Sequence, residues 1–226
     1  MGFTHPLSNG ILEGKFRMKI IFFLFISIVL NSTRTSINAQ LHNYNDNKYR
    51  IDKKQKIKNI SSVLLAEVKK PNVNVPRVLT YIKSGADLET HSIVAGVQYY
   101  TPLQYAARLH HWKTVNVLVT NGANTNPAVP YGDEHYLTPL MHCALSGQLS
   151  VVKILLRHGA DVNAKGYHDL TALMLAAQSG QKDIVKTLLK SGADISATSY
   201  FSHETALAFA RHENHNDIAK LLQKMQ

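Results

Sequence analysis

The sequence predicts an all-α fold of about five stacked helix-turn-helix units, and three observations carry that prediction. The first is a fixed internal distance: Thr101 to Gly122, Thr138 to Gly159 and Thr171 to Gly192 are each 21 positions apart. A constant distance means a constant three-dimensional unit. The second is the period. The Thr places at 101, 138, 171 and 205 recur at 37, 33 and 34 residues, a range that signals stacked arrays rather than one globular core. The third is the apolar pattern inside each unit, two short stripes of helical spacing with Gly147 or Gly180 between them in the most regular copies.

Taken from the N-terminus, the chain opens with an address label. Ile20 to Leu30 is an apolar run of eleven residues, preceded by Lys15, Arg17 and Lys19 and followed by the polar Asn31, Ser32 and Thr33. Basic flank, short apolar core and polar exit form the pattern of a secretory signal, and the run is short of the roughly 20 residues a spanning helix needs. The expected layout is a signal peptide over residues 1–39, cleaved after Ala39 to leave Gln40, with translation starting at Met18. An uncleaved signal anchor is the alternative. Export places the protein in the periplasm or outside the cell, with no stable membrane span once the signal is gone.

Cleavage would remove Lys15, Arg17, Lys19 and Arg34 against Glu13, lowering the formal charge from +10 to +7. Much of the surplus lies at the basic, polar segment 40–57 and its edge, at Lys48, Arg50, Lys53, Lys54, Lys56 and Lys58. Such a run reads as a solvated tail or helix face. Nucleic acid is not expected as a partner, because no binding motif accompanies the charge. The single cysteine, Cys143, excludes an intrachain disulfide, so stability must come from stacking.

The repeat region is expected over 58–226, in approximate copies 58–96, 97–133, 134–166, 167–200 and 201–226. In the first copy Ile57, Ile60 and Leu64 make a helical stripe, Ser61 stands in the Thr place, and the distance to Gly85 is stretched to 24. The added residues include Pro71 and Pro76. Proline opens a helix but does not sit inside one, so this copy should be two helices with a lengthened turn, acting as the N-terminal cap. In the clean copies Thr supplies an N-cap hydroxyl, followed by proline at Pro102 and Pro139. Small residues come next: Ala106 and Ala107, or Cys143 and Ala144. A second helix carries Val115, Leu118 and Val119, then Val151, Val152, Leu155 and Leu156, then Ile184, Val185, Leu188 and Leu189. Glycine at 122, 159 and 192 fits a left-handed C-cap. The last copy stops without Gly-Ala-Asp and turns polar at Gln223, Lys224 and Gln226, as a terminal cap should.

TPLMHCALSGQLSVVKILLRHGADVN and TALMLAAQSGQKDIVKTLLKSGADIS closely resemble the ankyrin repeat consensus TPLHxAAxxGHxEVVxLLLxxGADVN. The resemblance implies an ankyrin repeat solenoid with β-hairpin-like fingers, a monomeric mediator of protein–protein contact whose partner is another protein. The sequence departs from the family pattern where the consensus has His after Thr-Pro-Leu: Gln104, Met141, Met174 and Ala208 stand there. Family contact positions, carried over place by place, are Tyr100, Arg108 and Leu109; Glu134, His135, Leu137 and Leu145; Tyr167, His168, Leu170 and Gln178; and Phe201, Ser202 and Glu204. Tyr99, Tyr131, Tyr136 and Tyr200 lie close by; such aromatics are interface-like where exposed, the alternative being that they pack the loop bases. Two connections exceed the period, Glu89 to Tyr100 and Asn124 to Leu137, and should project as fingers. Deleting residues 126–132 is therefore expected to abolish partner binding and leave unfolding unchanged. Trp112, at an inter-helix turn, either marks a second contact edge or covers the lengthened turn after Pro71.

No catalytic residue, metal or cofactor is expected. Cys143 occupies a small packing place, and its neighbour His142 does not face it, since adjacent helical residues diverge. His212 and His215 are too few for a metal site. No glycine-rich phosphate loop or paired carboxylate set is present. Bacterial relatives by resemblance imply support of stress enzymes or neutralisation of toxins. A secreted effector acting on host proteins and a hydrolase with an unrecognised site are the competing functions.

Overall fold

In the computed structural model, residues 9–91, 93–94, 97–98, 100–128 and 136–225 are described. The chain divides into two units, Met1–Gln55 and Lys56–Gln226. Helix α1 runs Asn9–Val68, so the apolar run, the expected cleavage point and the basic segment are all helical. Residues 38–56 are exposed throughout, which makes the basic segment a solvated helix rather than a tail. His42 and Asp46, one turn apart, come within 3.6 Å. Among the described residues, no helix is long and apolar enough to cross a membrane.

The second unit begins on the last turns of α1, where Leu64, Leu65 and Val68 are buried. Ser61 does not act as the cap its place in the pattern predicts. A continuous helix passes through it, so there are no orphan N–H groups to satisfy. Its hydroxyl instead donates to Ile57 O (2.8 Å) and accepts from the amide of Asp87 (2.8 Å), tying the copy's entry to its exit turn. Helix α2 (Val75–Lys83) starts afresh, with Asn74 accepting from the amide of Arg77 and proline in the first turn. Glu67 holds the stretched turn between them. It is 3% exposed, and accepts from Lys70 Nζ at 2.6 Å and from the amide of Asn74 at 3.1 Å. The Lys70 bond, then the Asn74 amide, keep its carboxyl below the ordinary carboxylate range.

Four helix pairs follow: α3 (Pro102–Arg108) and α4 (Trp112–Thr120), α5 (Pro139–Leu145) and α6 (Leu149–Arg157), α7 (Ala172–Gln178) and α8 (Lys182–Lys190), α9 (Ala206–His212) and α10 (Asn216–Met225). Helices of seven to ten residues do not persist alone, so packing must hold them. The inner row packs α3 on α5, α5 on α7 and α7 on α9, and the outer row packs α4 on α6 and α6 on α8. Ala106, Ala107, Cys143, Ala144, Ala176, Ala177 and Ala210 are all fully buried along the inner row. Larger side chains there would force the helices apart. The outer row buries Leu118, Leu155, Leu188 and Leu222 completely, each contributing about 2–3 kcal/mol.

Thr101, Thr138 and Thr171 each accept a bond from the amide three residues on, whereas Thr205 makes no such bond. Gln104 restores the reciprocal half of the cap: its Oε1 accepts from the amide of Thr101 at 2.7 Å. Met141 and Met174 fill the same place with buried thioethers. At the other end, Gly159 has φ 82°, the left-handed conformation that glycine adopts at least cost. The inter-helix turn uses a left-handed residue as well, and His110 and Asn214 (φ 61° each) take that place in their copies. The Glu89–Tyr100 connection contains β1 (Ile93–Val94) and β2 (Val97–Gln98), an antiparallel pair with Ile93 opposite Gln98 and Val94 opposite Val97.

Successive copies are joined by a ladder of side chains four residues past the C-cap glycine. Asn126 accepts from the amide of Asp161 (2.8 Å) and donates to Gly159 O (2.8 Å). Asn163 repeats this with the amide of Asp194 (2.8 Å) and Gly192 O (3.1 Å). Glu89 supplies the acceptor half, to the amide of Asn124 at 2.8 Å. The corresponding Ser196 bonds only to Asp194 in its own turn, since the last copy offers no Gly-Ala-Asp to receive it.

Candidate functional site

Several of the contact residues carried over from the resemblance lie where the inner helices end. Arg108, Leu109 and Leu145 are exposed there, while Gln178 is half-buried. The backbone oxygen of Gln178 accepts from His215 Nε2 at 3.0 Å, which fixes that nitrogen as the protonated one. Arg108 is held in place by Tyr100, donating to its hydroxyl at 2.6 Å and lying over its ring at 5.1 Å. Tyr100 meets Tyr105 edge-on at 5.2 Å, and Lys69 Nζ covers Tyr105 at 4.5 Å. The result is a half-buried aromatic pair bracketed by cations.

A second aromatic group lies on the loops that enter the fourth and fifth copies. Tyr167 and His168 stack at 3.5 Å, and Phe201 meets His168 edge-on at 4.2 Å. Tyr200 joins Phe201 at 5.0 Å. Tyr200 is 63% and Phe201 68% exposed. Adjacent copies are tied at this point, because the amide of Tyr200 donates to His168 O at 2.8 Å. The display carries strain: His168 and Asp169 are both left-handed (φ 53° and 58°), at about 1–2 kcal/mol each for residues with a Cβ. Ser202 Oγ lies 2.8 Å from Ser199 Oγ, and Glu204 Oε1 lies 3.1 Å from His212 Nδ1. Leu137 and Leu170, half-buried, lead the chain from the loops into the caps of α5 and α7.

Tyr136 does not belong to the exposed set. It is 3% exposed, its hydroxyl donates to Pro127 O at 3.3 Å, and its carbonyl accepts from the amide of Tyr167 at 2.7 Å. It packs the loop base. The residues around 126–128 are equally structural: Asn126 belongs to the inter-copy ladder, Pro127 is buried, and Ala128 O accepts from Gln104 Nε2 at 2.8 Å. Deletion of 126–132 would remove these ties, so the fold as well as binding should suffer, contrary to the expectation from sequence. Glu134, His135, Tyr99 and Tyr131 lie outside the described residues.

Of the residues that invite an enzymatic reading, Cys143 is packed inside while His212 is exposed and His215 half-buried. Cys143 is fully buried, and burial pushes its thiol up to about 12, far from the thiolate a nucleophile needs. His212 contacts Glu204 and His215 contacts Gln178, so the two imidazoles serve different elements. Trp112 is half-buried at the start of α4 and stacks on His110 at 5.1 Å. Missing from the sequence-derived set were Asn126, Asn163 and Glu67. The signal for the first two was present, as an asparagine recurring four places after glycine.

Paired helices with threonine caps, glycine exits and a side-chain ladder between units define a helical repeat protein, whose free surfaces are loops and helix ends. The family model described as ankyrin repeats (3 copies) matches residues 62–166, 130–199 and 166–226, and the chain belongs to that family. Ankyrin repeats are generally modules for protein–protein contact and typically not enzymes. No curated protein matches the chain.

Proposed function

We propose that the chain is an exported, non-enzymatic, monomeric ankyrin module that holds a protein partner across its concave helix ends and inter-copy loops. The observation that carries this reading is the aromatic group of Tyr167, His168, Tyr200 and Phe201, two of whose members are mostly exposed. Exposed aromatics on strained, bonded loops lose little entropy on binding and bury much area. Export rests on the apolar run Ile20 to Leu30 with its basic flank, and places the action in the periplasm or outside the cell.

The test is photo-crosslinking in the native host from a reactive residue at 201, with a second probe at 113 on the outer helix α4 as control. A protein captured from 201 and absent from 113, with affinity lowered about tenfold or more by Phe201→Ala, is the expected result. Equal capture from both sides would sink the proposal. N-terminal sequencing of the periplasmic or secreted protein should begin at Gln40, and recovery only from the cytoplasm would remove the export part.

A further inference from the structure

Between the outer helices α6 and α8 lies a cleft of about 430 Å³, lined by Lys153, Leu156, Arg157, Thr187 and Ser191. Its origin lies in side-chain size. Thr187 and Ser191 stand sixteen and twenty places after Thr171. The same places hold Ile154 on α6 and His158 just after it, Leu221 and Met225 on α10, and Val117 on α4 with Asn121 just after it. Small hydroxyl residues replace the bulky ones of the two adjacent copies here, and the groove between neighbouring outer helices opens.

The charge in this cleft is not neutralised within the stack. α6 contains no acidic residue. On α8, Asp183 lies 3.5 Å from Lys186, and Lys182 is bonded to Asp217 at 3.0 Å. Among the described residues, neither Lys153 nor Arg157 has a carboxylate partner. Arg157 is tied to its own helix, Nε donating to Lys153 O at 3.2 Å. The hydroxyls are committed as donors: Thr187 Oγ1 to Asp183 O (2.7 Å) and Ser191 Oγ to Thr187 O (3.0 Å). Each therefore offers the cleft only lone pairs.

Two cations, two hydroxyl acceptors and an aliphatic floor at Leu156 make an unusual combination, and we propose that this cleft is a second docking site, for an acidic peptide segment. Its carboxylates would meet Arg157 and Lys153, its backbone N–H groups the oxygens of Thr187 and Ser191, and an aliphatic side chain Leu156. A phospholipid phosphodiester brings acceptors only and leaves the hydroxyl pair unmatched. This site lies on the outer helices and does not depend on the aromatic loops.

The experiment titrates the full chain with a fluorescent peptide alternating Glu and Leu, read by anisotropy, with circular dichroism to confirm that each variant is folded. Arg157→Gln and Lys153→Gln should each weaken binding about tenfold, the effect of losing one charge-assisted hydrogen bond. Thr187→Ile, which leaves the charge unchanged, should weaken it as well by filling the cleft. Lys220→Gln, on α10, and the double variant Tyr200→Ala with Phe201→Ala should leave the affinity as it is. Four results would overturn the proposal: equal binding of the peptide with Gln for Glu, an equal loss in Lys220→Gln, loss in the aromatic double variant, or binding of phosphatidylglycerol vesicles in place of the peptide.

Discussion

Replacing Asn163 with alanine isolates the ladder that joins the third copy to the fourth. The side chain makes two bonds across the boundary, to the amide of Asp194 at 2.8 Å and to Gly192 O at 3.1 Å. A net 0.5–1.5 kcal/mol per bond gives about 1–3 kcal/mol in all. Asn163 is exposed, so water can replace part of what is lost and the expected cost is about 1–2 kcal/mol. Urea unfolding followed by circular dichroism would show this as a lowered midpoint at nearly constant slope. Ser196→Ala is the matched control, because Ser196 occupies the same place one copy later but bonds only inside its own turn. It should cost less than about 0.5 kcal/mol. Asn126→Ala should match Asn163→Ala and add to it, since the two asparagines share no partner. If Asn163→Ala costs no more than Ser196→Ala, the recurring asparagine is not what couples the copies and the reasoning fails.

Gly159→Ala meets no atom within 4 Å and should cost only the left-handed backbone penalty, about 1 kcal/mol. Gly166→Ala should cost more despite an ordinary φ, because its Cβ would lie 2.9 Å from Tyr136 O and 2.7 Å from Met141 Sδ; thermal melts of the pair would show the order. The carboxyl of Glu67 is held below its ordinary range, so its contribution is present above the unfolded value and lost as pH falls through the folded one. Glu67→Gln should therefore lose stability at neutral pH and show a flatter acid limb in urea midpoints, and an unchanged acid limb would count against the pairing. Cys143 should resist a thiol reagent in the native protein and react at the rate of unfolding, whereas immediate modification would contradict its burial.

The helices were legible because each is written locally. Thr-Pro, a small pair and a terminal glycine specify a start, a close approach and a stop without reference to the rest of the chain. The same local reading could not tell that Ser61, in the Thr place, lies inside a helix that began far earlier and has no N-terminus to cap there. It could not decide whether Tyr136 faces solvent or packs a loop base, and its ring is buried there. Local pattern does not reveal what a neighbouring copy covers. The aromatic group was half legible: Tyr167, His168 and Phe201 were singled out by place, but their mutual stacking requires two loops from adjacent copies to meet.

By itself, the sequence determined the repeated unit, its period, the cap and exit residues of the clean copies and the family they resemble, since all of these follow from residue types at short fixed spacings. The tertiary structure alone decided what happens between units: the asparagine ladder, the burial of Tyr136 and Pro127, and the cleft between α6 and α8. The physical reason is distance along the chain. Asn163 and Asp194 are 31 residues apart, and a bond of that reach exists only once two complete units have stacked.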